Sequence, residues 1–179
     1  VGYNALTSNT TGQRNTVIGA SALATNTTGN YNTASGYEAL TSNTTGNGNT
    51  ASGYEALKDA NRTADTDGYN TALGYQAGNT GTNDVTTGNK NTLLGASSAA
   101  SAAAGTNQTV IGYGATGQAN NSVTLGNADV TAVYMAQDAG ATVYAATLDI
   151  SGDTDIDGTT NLDAVDIDGA VQVDGTITV

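Results

Sequence analysis

The chain has 179 residues and a formal net charge of −12, from 16 acidic and 4 basic side chains. It contains no Cys and no His, which excludes disulfides, thiolate metal sites and histidine-based catalysis. The excess of acidic side chains disfavours nucleic acid or an anionic membrane as a partner. Membrane insertion is not expected either, because no apolar stretch reaches the roughly 20 residues that a spanning helix needs.

Few large apolar side chains are available for a core. Leu, Ile and Val together supply 28 of the 179 residues, and Phe is absent. With this net charge, such a composition is typical of disordered chains. A regular repeat argues against disorder, because a disordered polar segment has no reason to keep small apolar residues at fixed distances from a glycine. We therefore predict an ordered but thin fold, stabilised by stacked backbone and by association between copies.

The repeat consists of Asn-Thr, two small or apolar residues, and Gly, usually followed three residues later by Ala. Clear copies begin at Asn15, Asn32, Asn49, Asn70 and Asn91. The anchor glycines of these copies and of one variant are Gly19, Gly36, Gly53, Gly74, Gly95 and Gly112. Successive anchors are 17 or 21 residues apart. A period of this kind predicts a solenoid, in which the stacked asparagines form a ladder of amide hydrogen bonds.

Each unit is expected to hold two short extended pieces separated by turns. Gly and Asn tolerate the positive φ angles that such turns require, and Thr and β-branched residues suit strands. The residue two before each of these anchors is always apolar, from Val17 to Val110, so we assign it to the interior. A second recurrent apolar position is assigned to the interior as well: Leu6, Leu23, Leu40 and Leu57.

Two units are longer than the rest. Extra residues lie within 58–67 and within 78–85, and insertions in a solenoid emerge as loops on one side. The first loop holds two of the four cations. The candidate receptor contacts in the loops are Lys58, Arg62, Asn79 and Asn83. Neutral variation in loop length explains the insertions equally well, because loops tolerate it.

A tyrosine follows several anchor glycines. Tyr37, Tyr54 and Tyr75 are expected to line up along one edge, where rings and hydroxyls can hold a sugar. The alternative is a packing seam within or between chains, which Tyr also favours. Glu38 and Glu55 follow two of these tyrosines, and paired carboxylates occur in glycosidases. The same position in other units holds Asn, Ser or Gln, so we expect a solvent position and no enzyme activity.

The pattern changes after the array. A transition segment covers 128–147, and 148–179 alternates aliphatic residues with Asp between closely spaced Gly or Ala. Alternation with a period of two predicts strands with one wet face. Strands this short cannot bury their apolar face within one chain. Three chains sharing an axial core, a thin triple-stranded β-shaft, are therefore expected.

One segment of the predicted shaft matches the start of a calcium loop. Asp153, Asp155 and Asp157 alternate with other residues and precede a glycine, as calcium ligands do. The loop should end in a bidentate Glu, and Ala164 stands there instead. Alternating Asp on the wet face of a strand is the stronger interpretation, so calcium is the weaker one and no other cofactor is expected.

The units of residues 1–127, which end in Asn121-Ser122-Val123-Thr124-Leu125-Gly126-Asn127, resemble the head repeats of trimeric autotransporter adhesins. They resemble the equivalent repeats of bacteriophage tail fibres more closely. The resemblance implies a left-handed parallel β-roll, three of which pack side by side as a homotrimer. Most units here are longer than those of autotransporter heads, and no heptads follow the array, which favours the phage fibre.

The sequence thus predicts an all-β homotrimeric fibre, with a parallel β-roll or β-solenoid over 1–127 followed by a thin triple-stranded β-shaft. The expected function is that of a structural and adhesive segment in the virion of a phage, or in a phage-tail-like particle. Its expected partners are other tail or fibre proteins and a host-surface glycan or protein receptor. The alternative is a bacterial cell-surface trimeric adhesin or an extracellular filament subunit. A polysaccharide-degrading tail spike would have only Glu38 and Glu55 as its carboxylate pair.

Overall fold

The computed structural model describes residues 2–61, 68–135, 143 and 145. The chain divides into a unit Val1–Tyr134 and a unit Met135–Val179, and every described strand belongs to the first unit. The described residues are all-β and contain no helix. Seven strands lie in chain order in one parallel sheet. They are β1 (Thr16–Ile18), β2 (Thr33–Ser35), β3 (Thr50–Ser52), β4 (Thr71–Leu73), β5 (Thr92–Leu94), β6 (Gln108–Ile111) and β7 (Ser122–Leu125).

The register of the sheet follows the repeat. In the β2–β3 pair, Thr33 lies opposite Thr50 and Ser35 opposite Ser52, and every other neighbouring pair is parallel as well. Parallel neighbours need a crossover, so the chain makes one turn between successive strands. The fold is therefore a parallel β-solenoid of about six turns, which confirms the architecture predicted from the anchor glycines.

The interior is built mainly from small residues. Both positions assigned to it are buried, with Val17 and Leu6 only partly buried at the first turns. The fully buried members are Leu23, Ala34, Leu40, Ala51, Leu57, Ala72, Leu93 and Val110. The alanines that follow the anchor glycines, such as Ala39 and Ala56, complete this cluster. Few side chains reach across the coil, so each turn buries little apolar surface of its own.

The side of each turn opposite the sheet is not a strand, so the expectation of two extended pieces per unit was wrong. Glu38 and Leu40 have positive φ angles of 53° and 54°. Hydrogen bonding to the next turn nevertheless continues, because Leu40 N donates to Ala56 O at 3.1 Å. A left-handed leucine costs about 1–2 kcal/mol. Complete burial of the side chain, worth about 1.5–3 kcal/mol, offsets that cost.

The anchor glycines are required by the stacking itself. Gly53 has a φ of +138°, and a Cβ there would overlap the carbonyl oxygen of Gly74 in the next turn. The other anchors from Gly19 to Gly95 meet their successors in the same way. A side chain at this position would push two turns apart.

We expect Gly53→Ala to lower the free energy of unfolding by about 3 kcal/mol or more, because it adds a clash to backbone strain. Gly81→Ala is the matched control, since Gly81 also has a positive φ, +82°, but no heavy atom lies within 4 Å of the added carbon. The control should cost about 1 kcal/mol. Urea denaturation followed by circular dichroism measures both, and equal losses would contradict the stacking role.

A ladder of amides, partly buried at Asn15 and buried from Asn32 onward, runs along the corner before the sheet. Its members are Asn15, Asn32, Asn49, Asn70, Asn91 and Gln108. Asn70 Oδ1 accepts hydrogen bonds from the backbone N and the Nδ2 of Asn91, at 3.0 and 3.1 Å. Asn70 Nδ2 donates in turn to Asn49 Oδ1 at 3.2 Å and to Gly88 O at 2.9 Å. Each amide therefore forms hydrogen bonds with backbone groups at the corner that are buried away from water.

A shorter ladder lies next to the first one, because Asn32 Nδ2 and Asn43 Nδ2 both donate to Gly46 O, at 2.8 and 3.1 Å. Asn26 Nδ2 donates to Asn9 Oδ1 at 2.9 Å, and Asn43 Nδ2 donates to Asn26 Oδ1 at 3.0 Å. Ala60 takes the corresponding place in the next turn. Asn43 Oδ1 is buried and accepts no hydrogen bond from the described residues. This ladder therefore ends at the turn that carries the first insertion.

Asn70→Leu should be strongly destabilising. It leaves the backbone N of Asn91 and the carbonyl of Gly88 without their side-chain partner, at roughly 1–3 kcal/mol for each buried group. Thr71→Leu is the control, because it introduces the same side chain at the next, exposed position. Thermal denaturation should show a large drop in melting temperature for the first variant alone. Similar melting temperatures would mean that the ladder does not stabilise the turns.

Candidate functional site

Three tyrosines form a stack on the surface of the coil. The ring centroids of Tyr37 and Tyr54 are 5.3 Å apart and those of Tyr54 and Tyr75 are 5.2 Å apart, with interplanar angles of 16° and 9°. All three side chains are about half exposed. The structure thus brings together the three tyrosines that the sequence predicted as a row. Ala20 and Ala96 occupy the corresponding places in the turns on either side, so the stack is three rings long.

A charged cluster lies beside this stack. Lys58 Nζ bridges Glu38 Oε2 at 2.7 Å and Glu55 Oε1 at 2.9 Å. Gln76, which occupies the same repeat position as Glu55 in the next turn, donates from Nε2 to Glu55 Oε2 at 2.8 Å. The two carboxylates are half-buried and neutralised in part by one cation, so they are not the plain solvent residues that their variability suggested. Lys58, predicted as a receptor contact, is engaged in this cluster.

The cluster holds both carboxyl groups in the ionised form. Hydrogen bonds from Lys58 and then Tyr37 keep the pKa of Glu38 below its usual value. Gln76, followed by Lys58, lowers the pKa of Glu55. The two carboxylates in turn raise the pKa of Lys58. A glycosidase needs one carboxyl of its pair protonated as the general acid, and neither of these is placed to stay protonated.

Lys58→Met keeps the apolar stem and removes the shared cation. Because the pKa values of both glutamates are depressed, their contribution is present above the usual value of 4.5 and is lost as the pH falls through the folded-state values. We therefore expect the variant to be less stable by about 1 kcal/mol at pH 7 and nearly as stable as the parent at pH 3. Lys90→Met, which removes the same charge at an exposed position, is the control. A loss that is equal for both variants, or independent of pH, would contradict this role.

The residues that immediately precede the ladder asparagines form another row, which sequence reasoning missed. It runs Arg14, Tyr31, Gly48, Tyr69 and Lys90. Backbone bonds fix the order: the N atoms of Tyr31, Gly48 and Tyr69 donate to the carbonyls of Gln13, Asn30 and Asn47 in the preceding turns. The signal was present in the sequence, since Arg, Tyr and Lys stand directly before Asn-Thr in place of the small or turn-forming residues expected at a corner.

This row contains a cavity of about 320 Å³, lined by Asn30, Tyr31, Asn47, Gly48 and Tyr69. Tyr31 and Tyr69 are exposed over 59% and 52% of their surfaces. Gly48 leaves room for the Tyr69 ring, because a Cβ at Gly48 would lie 2.5 Å from Tyr69 Cδ1. The cavity is thus lined by two tyrosines, a glycine and two asparagines.

The second insertion forms a compact loop. Val85 N donates to Gly78 O at 2.9 Å, and Asp84 Oδ1 accepts from Gly81 N at 2.6 Å. Val85 is buried in the core, whereas the tip at Gly81 is exposed.

The remaining predicted site residues differ in their surroundings. Asn79 is buried at the base of the loop and Asn83 is half-buried, so the structure separates the two proposed contacts. Arg62 lies outside the described residues, as do the three aspartates of the possible calcium site, and both remain predictions.

The outer face of the sheet carries an apolar row. The side chains that point away from the core one residue before each anchor are Ile18, Leu73, Leu94, Ile111 and Leu125, with Ser35 and Ser52 at the same position in β2 and β3. The five apolar members are between 38% and 58% exposed. Leu73, Leu94, Ile111 and Leu125 follow one another from turn to turn and form a stripe parallel to the coil axis, and the two serines separate them from Ile18.

The chain matches no protein-family model, no curated protein and no solved structure. Among the residues that the structure describes, no helix has the length and apolar character that crossing a membrane requires.

Proposed function

We propose that this chain is a segment of a homotrimeric fibre that attaches a phage, or a phage-tail-like particle, to the surface of a host cell. The repeat resemblance suggests the class of protein, and the parallel β-solenoid is compatible with it. The observation that carries the proposal is the apolar row on the outer face of the sheet, from Ile18 to Leu125.

The row needs a partner with the same geometry. It runs parallel to the coil axis, so copies that pack side by side with parallel axes bury it along its whole length. About half of each side chain is already covered, and burying the rest contributes roughly 1 kcal/mol per residue. The interior made of alanine supplies little apolar burial of its own, which makes this additional surface important for stability.

Three copies are favoured over two by the rest of the chain. The aliphatic residues of 148–179 alternate with Asp and call for a shared axial core. Three chains around such a core are the arrangement expected from the sequence, and a single three-fold symmetry operation closes a homotrimer.

Attachment follows from repetition of the lateral surfaces. A trimer presents three copies of the tyrosine stack and of the loop at 78–85, and multivalent contact strengthens weak binding without new interactions. Tyr37, Tyr54 and Tyr75 stay candidate contacts, and a packing seam stays their alternative. Lys58 is already paired with Glu38 and Glu55, so its charge is partly neutralised before any receptor binds. The loops are therefore expected to contribute to binding through their shape more than through the charge of Lys58.

The intact chain should have a mass three times its own 17.6 kDa in light scattering and should bind to the surface of a susceptible bacterium. The double variant Leu94→Glu with Ile111→Glu places charges in the apolar row, so it should dissociate and lose most cell binding through lost avidity. Thr28→Glu with Gln118→Glu is the control, because it adds the same charges at exposed positions outside both the row and the loop at 78–85.

A folded monomer at micromolar concentration, or full cell binding by the monomeric variant, would overturn the proposal. Electron microscopy with an antibody against the chain separates the alternative. Label on tail fibres supports the proposal, whereas label on the outer surface of the producing bacterium supports an adhesin or filament subunit.

A further inference from the structure

The row before the ladder asparagines has the properties of a ligand site. Its cavity of about 320 Å³ is at the lower end of the range for small-molecule pockets, which suits one ring-sized unit. Tyr31 and Tyr69 supply exposed ring surfaces, and aromatic faces pack well against the apolar face of a sugar. Asn30 and Asn47 line the cavity as well. Asn30 uses its amide on Gln13 N, Thr28 O and Asn47 Oδ1, so Asn47 Nδ2 is the amide group that can meet a sugar hydroxyl.

Both ends of the row are cationic. Arg14 lies one turn before Tyr31, with its guanidinium carbon 5.1 Å from the ring centroid and its Nη1 donating to the Tyr31 hydroxyl. Lys90 is one turn beyond Tyr69, since Lys90 N donates to Gly68 O. Two of the four basic residues of the chain therefore flank one cavity.

The described residues of the row and of its two neighbouring rows carry no carboxylate, while Asp65 and Asp67, which precede Gly68, lie outside the described residues. Three adjacent rows contain the residues from Gln13 to Asn15 and their repeat equivalents, and none of these is acidic. The equivalents are 30–32, 47–49, 68–70, 89–91, 106–108 and 120–122. On a chain with a net charge of −12, the two cations next to the tyrosines of this cavity, with no carboxylate among the described residues of the three rows, favour an anionic ligand.

The large side chains are in a costly conformation. Arg14, Tyr31, Tyr69 and Lys90 have φ angles of 59°, 59°, 45° and 58°, the left-handed region that bulky residues avoid. Asn or Gly would fit there with less strain, and Asn107 occupies the same position further along the coil. The conformation itself belongs to the coil, because it recurs at other corners such as Glu38 and Leu40; what sets these four positions apart is a bulky side chain where Asn or Gly would fit with less strain.

We propose that this cavity binds a six-membered sugar ring that carries a carboxylate, such as a uronate or sialate unit of a cell-surface glycan. The ring packs against Tyr31 and Tyr69, and the carboxylate pairs with Arg14 or Lys90. Only the source of the ligand, a cell surface, rests on the function proposed above.

The test is calorimetric titration of the full chain with trigalacturonate, with sialyllactose and with neutral lactose. The first two distinguish a uronate from a sialate source. At least one acidic saccharide should bind, with the neutral one at least about tenfold weaker because it lacks the charge-assisted contact. Raising the salt concentration should weaken the acidic ligand. Equal affinity for neutral and acidic saccharides, or no binding by any of them, would overturn the inference.

Variants locate the site. Tyr31→Ala, and one of Arg14→Gln and Lys90→Gln, should each reduce affinity at least about tenfold, while Tyr113→Ala should leave it unchanged. Tyr113 is the matched control, since it is 74% exposed and lies outside this row. In the unmodified chain, the ring resonances of Tyr31 and Tyr69 should shift on addition of ligand, a readout that does not depend on how a variant folds. Equal loss with Tyr113→Ala, or unshifted rings, would place the ligand elsewhere.

This inference and the proposed function fail separately. A trimer that attaches to cells but binds no acidic saccharide refutes the sugar site alone. A monomer that binds the acidic saccharide through Tyr31 refutes the fibre and leaves the site in place.

Discussion

Each turn of this solenoid has to fit against the next turn at the spacing of a backbone hydrogen bond, and the rest of the structure follows from that constraint. Gly53 is one expression of it, because any side chain there would meet the carbonyl of Gly74. Asn70 is another, because its amide reaches the asparagines of both neighbouring turns. The residue type at a repeat position is therefore determined mainly by its contact with the equivalent residue of the next turn, and less by contacts within its own turn.

The same constraint explains a core with so few large side chains. A narrow coil has room for Ala and an occasional Leu, so apolar burial per turn is small. Buried asparagine amides supply part of the stability, since they form hydrogen bonds with backbone groups at corners that water does not reach. A leucine such as Leu40 then tolerates a left-handed backbone because its burial offsets the strain. Each turn thus contributes a small part of the stability. Burial of the exposed apolar row, which includes Ile18 and Leu94, against a partner would add to it.

Stacking also sorts the surface into rows, and the chemistry lies where a row departs from the average repeat. The three-ring stack of Tyr37, Tyr54 and Tyr75 occupies part of one row. Arg14 and Lys90 close the ends of another, around the cavity between Tyr31 and Tyr69. Because the scaffold depends on Asn and Gly, the outward positions are free to vary. Recognition is therefore compatible with a fold that is regular elsewhere.

The sequence by itself determined the architecture and the stacking partners. A period of 17 or 21 residues states which residues lie above one another, so the parallel sheet, the interior positions and the tyrosine row were all predictable from Asn, Gly and Tyr spacing. The shaft at 148–179 and the calcium loop remain predictions, because they lie outside the described residues.

Only the tertiary structure decided what happens around each turn. Lys58 lies three residues from Glu55 and twenty from Glu38, and no period reveals that it bridges both. Tyr31 and Tyr69 lie two turns apart and share a cavity because Gly48, in the turn between them, leaves room for the Tyr69 ring. Periodicity fixes neighbours along the axis. The backbone angles at the corners fix neighbours around it, and those depend on packing between turns that no single repeat encodes.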